Sequence, residues 1–84
     1  MIIESSAFTS VFDLNRAFVE LKRAGMEALG IPQSLEHYTK IGADALGLYR
    51  VSRGGDCLVA RGSLEKLRQF VASSPGRFVL KVRI

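Results

Sequence analysis

Arg77-Phe78-Val79-Leu80-Lys81-Val82-Arg83-Ile84 is the stretch that decides how this chain folds. Phe78, Leu80, Val82 and Ile84 alternate with Arg77, Val79, Lys81 and Arg83. Successive side chains of a strand point to opposite faces, so this period of two predicts a strand with one buried face and one basic, solvated face. Such a strand needs neighbours beside it and a layer packed on its apolar side. The remaining sequence has to supply both.

The neighbours come from two further runs. Leu48-Tyr49-Arg50-Val51 and Cys57-Leu58-Val59-Ala60 read as strands, and Ser52-Arg53-Gly54-Gly55-Asp56 reads as the loop of a hairpin between them. Alternation with Arg50 places Tyr49 on the core side in this reading. Met1, Ile2 and Ile3 suit a short strand at the other end.

The covering layer comes from helices. Ser10 can cap the first, with Asp13 at the positive end of the helix dipole. Leu14, Phe18, Leu21, Gly25 and Ala28 then share a stripe of helical spacing. Across the helix, Arg16 with Glu20 and Arg23 with Glu27 are spaced for exposed ion pairs. Gly30 ends this helix and Pro32 opens a second, with Leu35, Tyr38 and Ile41 on one face and Gly42 at its end. Residues 43–47 favour neither helix nor strand. Ser63 caps a third helix, with Glu65 in its first turn and Leu64, Leu67, Phe70 and Val71 as its apolar stripe. Ser73-Ser74-Pro75-Gly76 stops it.

The resulting order, β-α-α-β-β-α-β, predicts one small α+β domain over residues 1–84. Its sheet should be antiparallel or mixed, with the helices on one face. A split βαβ, ferredoxin-like sheet is the natural candidate, with the last strand beside the first.

Apolar residues make up 48% of the 84, and mean hydropathy is +0.17. That builds a core without staples, and it is rich for so small a monomer, which predicts a homodimer or a covering partner. The single cysteine, Cys57, excludes an internal disulfide and a multi-cysteine metal site, and a reducing compartment is expected. No apolar run approaches the roughly 20 residues needed to span a bilayer. No signal-peptide pattern opens the sequence, so a cytoplasmic protein with no membrane role is expected.

Catalytic chemistry has little to stand on. His37 and Cys57, with Asp44 or Asp56, are the residue types of a nucleophilic site, but nothing in their spacing joins them. Gly54 and Gly55 lead into a strand, whereas a phosphate cradle opens into a helix. Neither a cofactor nor a metal is expected, and the chain reads as non-enzymatic.

Charge gives the strongest lead. Four basic against six acidic residues give positions 1–47 a net charge of −2, while eight against two give positions 48–84 a net +6. Arg50, Arg53, Arg77, Lys81 and Arg83 are therefore the candidate partner-binding residues, on the open sheet face and at the hairpin tip. The expected function is a small protein-binding regulator or inhibitor that docks on a larger, acidic partner through this basic half and apolar surface. The alternative is a nucleic-acid-binding module that contacts phosphates through the basic strand face. Single-strand recognition needs aromatic rings interleaved with the cations, and this reading leaves none on that face.

Overall fold

The computed structural model describes residues 2–29 and 46–83. Their elements run β1 (Ile2–Glu4), α1 (Val11–Leu29), β2 (Leu46–Ser52), β3 (Gly55–Arg61), α2 (Leu64–Ser73) and β4 (Phe78–Arg83). The helix expected from Pro32 to Gly42, with Leu35, Tyr38 and Ile41, lies outside the described residues, as do Gly30, His37 and Asp44. Of the ambiguous stretch 43–47, Leu46 and Gly47 belong to β2.

The four strands form one sheet in the order β1-β4-β2-β3, antiparallel at every junction. β1 and β2 both run against β4 and are therefore parallel to each other, as are β3 and β4 on either side of β2. The β1-α1-β2 passage thus straddles β4, and the β3-α2-β4 passage straddles β2. Two split βαβ units interlock with β4 and β2 at the centre, and the last strand lies beside the first as expected. Only that topology, and no ferredoxin-like identity, follows from the sheet.

Alternation in β4 determines the layering. Phe78, Leu80 and Val82 point to the helix side and are at most 1% exposed. They meet Leu46 and Leu48 of β2, Leu14, Ala17 and Leu21 of α1, and Leu67 and Val71 of α2 in one core. Each fully buried large side chain contributes about 1.5–3 kcal/mol of transfer free energy. Phe78 is the hub, with Phe8 and Phe70 each 6.1 Å away, the latter edge-on.

Both helix starts form as expected. The Ser10 hydroxyl accepts from the Asp13 amide, and the Ser63 hydroxyl accepts from the Lys66 amide. Each cap satisfies an amide that the helix itself cannot. The expected Arg16–Glu20 pair does not form. Arg16 instead lies 3.6 Å from Asp13, and Glu20 accepts from the amide and hydroxyl of Ser6. That bond ties α1 to the segment leaving β1. The helices are joined by Arg68, whose Nε and Nη2 both donate to Asn15 Oδ1.

β1 is short but its pairing with β4 does not stop at Glu4. Ser5 N–H donates to Leu80 O, and the buried Ser5 hydroxyl accepts from Leu80 N–H. Phe8 and Phe78 then exchange both backbone hydrogen bonds. Ser6 and Ala7 are an exposed excursion between these two anchor points.

Candidate functional site

The two faces of the sheet distribute the candidate cations differently from the sequence reading. β2 places Leu46 and Leu48 in the core, so Arg50, two residues on, also points to the helix side. There its guanidinium stacks on Phe78, with Cζ 5.6 Å from the ring centroid. Tyr49 points the opposite way. The expected assignment of Arg50 to the open face and Tyr49 to the core is therefore reversed. Arg50 tolerates this position because it sits at the end of the sheet, half-buried, with its guanidinium over the Phe78 ring. Gly76 makes room: a Cβ there would stand 3.2 Å from Arg50 Nε and 3.3 Å from Phe78 Cζ.

On the face that carries no described helix, Tyr49 lies over Gly47. A Cβ on Gly47 would come within 2.9 Å of Tyr49 Cε1 and 3.2 Å of Leu58 Cδ1, so only glycine lets the ring lie this low. Lys81 roofs the ring, with Nζ 4.8 Å from its centroid. The same Nζ is 2.9 Å from Asp56 on β3 and 3.4 Å from Glu4 on β1. One ammonium thus links both edge strands across the two central ones. The Asp56 contact raises the Lys81 pKa above its ordinary 10.5, burial opposes this, and Glu4 adds to the rise.

In this cluster Lys81 is engaged by carboxylates of the chain itself. The other candidates stand apart. Arg53 is exposed at the hairpin tip and Arg77 is exposed just before β4. The Arg77 carbonyl accepts from Val51 N–H, which holds it beside the same end of β2. Arg83 pairs with Ile2 along the backbone, and its side chain is not among those described. Arg50, Arg53 and Arg77 form no ion pair among the described residues; the four ion pairs there use Arg16, Arg68 and Lys81. Arg50 Nε is buried and has no hydrogen-bond partner among them. The hairpin end of the sheet therefore collects three unneutralised guanidiniums, one of them pinned on an aromatic ring.

The nucleophile candidates are not brought together. Cys57 is exposed on β3, opposite Arg50, and Asp56 is engaged by Lys81. His37 and Asp44 fall outside the described residues. Among those described, no group of three His, Cys, Asp or Glu residues could hold a metal ion, and no helix is long and apolar enough to cross a membrane.

Sequence reasoning missed the Tyr49–Lys81–Asp56 cluster. The available signal was Gly47 two residues before Tyr49, since a strand glycine often marks close approach of another group. Exposed apolar surface, expected from composition, is found on α1 at Phe12 (75%) and Val19 (51%), along a surface groove of about 780 Å³ shared with Arg16 and Arg23. No family model, curated protein or solved structure matches the chain.

Proposed function

We propose that this chain is a non-catalytic docking module whose hairpin end binds an acidic surface on a larger protein, in the manner of a small regulator or inhibitor. The observation that supports this reading is the state of Arg50. Its guanidinium is stacked on Phe78 with Nε buried, and no carboxylate among the described residues pairs with it. An arginine already ordered by packing loses less freedom when it meets a carboxylate, and its planar fork suits bidentate contact. Arg53 and Arg77 extend the positive surface on the exposed side.

The nucleic-acid alternative relies on cations along the strand face contacting phosphates. Lys81, on that face, is already engaged by Asp56 and Glu4, which weakens that reading.

The test uses the exposed pair, so that folding is not at stake. Wild type and the Arg53→Glu, Arg77→Glu double variant are used as bait in nuclease-treated lysate. A protein captured by wild type and lost with the double variant supports the docking reading. Random-sequence RNA is titrated in parallel at several salt concentrations. RNA binding whose log affinity falls with log salt, without any nuclease-resistant protein capture, would replace it with the phosphate-contacting alternative.

A further inference from the structure

Among the described residues β3 is an edge strand, and the direction of its outward hydrogen-bonding groups can be read from its neighbour. Val51 donates its N–H to Arg77 O, so Val51 faces β4 rather than β3. Alternation along an antiparallel ladder then turns Arg50 and Ser52 toward β3, where they oppose Cys57 and Gly55. The N–H and C=O of Asp56 and Leu58 are left pointing out of the sheet. Beyond Leu58 the register shifts at Val59, since Tyr49 opposes Leu58 while Leu48 opposes Ala60. Such a bulge interrupts the outer edge and limits its regular part to residues 55–58.

We propose that this free edge of β3 is the docking strand, and that its occupant is an extended acidic segment of the partner protein. This rests on the docking function proposed above and names the form the partner takes. Extended segments add to open sheet edges through main-chain hydrogen bonds, with side chains supplying selectivity. Selectivity here comes from charge. Asp56 is the only carboxylate on β3, and Lys81 holds it at 2.9 Å. Arg53 precedes the strand and Arg61 ends it, both exposed and without an ion pair among the described residues. They flank the edge at its two ends, Arg53 in the turn before the strand and Arg61 beyond the bulge. Leu58, 44% exposed, offers an apolar contact between them. Like charges on a second copy of this edge would instead meet arginine with arginine.

The experiment uses the full chain and a synthetic peptide of about eight residues, with glutamate at both ends and alternating threonine and valine between. Glutamate at both ends fits either strand direction. Amide exchange and shifts are read by NMR. The expected result is new protection at the Asp56 and Leu58 amides and none at Cys57, whose amide already faces Arg50. Leu58→Pro removes only an outward-pointing amide, so it should abolish binding while Leu58→Ala retains it. If Leu58→Pro does not fold, the exchange pattern of the wild type still decides. Replacing both peptide glutamates with glutamine should weaken binding severalfold. Equal binding of the glutamine peptide overturns the acidic occupant. Protection of Asp56 and Leu58 in concentrated protein without peptide overturns it in favour of a second copy. Peptide binding that perturbs Arg50 and Arg77 but protects neither edge amide overturns the edge and leaves the arginine docking reading standing. Absence of any peptide binding, while nuclease-resistant capture persists, also overturns the edge alone.

Discussion

On the helix side of the sheet, Leu48, Phe78, Leu80 and Val82 meet Leu14, Leu21 and Leu67 with almost no exposure. On the other side Val79 is the one buried apolar strand side chain among those described, and beside it Tyr49 lies over Gly47 beneath Lys81, which is shared by two carboxylates. The first face is held by area removed from water, a non-directional force that tolerates no void. The second is held by placement, since the ring needs the missing Cβ and the ammonium needs both edge strands. The lesson is that the strand pattern specifies one face by bulk and the other by a few pairwise fits. Substitutions should therefore cost in proportion to volume on one face and to geometry on the other.

The largest effect should come from the bulk face. Leu80→Ala removes a fully buried side chain and should destabilise by about 2–5 kcal/mol, measured by chemical denaturation. A change below about 0.5 kcal/mol would place Leu80 outside a packed core.

The geometric face is sharpened by Gly47→Ala. The new methyl meets Tyr49 Cε1 at 2.9 Å, and displacing the ring also loosens its contact with Lys81. The expected cost is about 1–2 kcal/mol. In a Tyr49→Ala background most of this cost should vanish, leaving only the 3.2 Å approach to the flexible Leu58 Cδ1, against which alanine's better fit to a strand interior counts by about 0.5 kcal/mol. Equal costs in both backgrounds would break the proposed fit between ring and glycine.

A smaller effect is expected for Lys81→Met. Its ion pairs are partly exposed, so each is worth about 0–1 kcal/mol and should weaken in high salt. The direction with pH follows from its raised pKa. The folded value lies above the ordinary 10.5, so the lysine's contribution is whole below that pH and fades as pH rises through the folded value. The stability gap between wild type and Lys81→Met should therefore be flat from neutral pH to about 9 and shrink above 10.5. A gap that widens there would contradict the contact with Asp56.

The difference between the faces also explains what could be read from sequence. Phe78, Leu80 and Val82 were legible because burial follows a simple period, and Ser10 and Ser63 because caps are local. The hairpin was legible from its glycines, although β2 and β3 run longer than expected and leave only Arg53 and Gly54 at the tip. Tyr49 and Arg50 are reversed because Tyr49 and Val51 are as apolar a set as Leu46 and Leu48, and only the extension of β2 to Leu46 fixes which parity faces the core. Only the proximity of the sheet end and of Phe78 makes an arginine acceptable there. Lys81 and Asp56 are 25 positions apart, and no local spacing announces a contact made across an intervening strand. Of the five candidate cations, Arg53 and Arg77 are exposed, Lys81 is ion-paired, Arg50 is on the helix side, and the Arg83 side chain is not among those described.

The sheet's two borders are unequal, and this governs how the molecule can grow. β1 has three residues, and the Ser6-Ala7 excursion interrupts the line between Ser5 and Phe8. That border offers no continuous template for another chain. β3 offers one short template and then a bulge. If a segment adds at the β3 edge as proposed, the blunt β1 border leaves, among the described residues, no second template on this chain for the indefinite stacking that builds fibres.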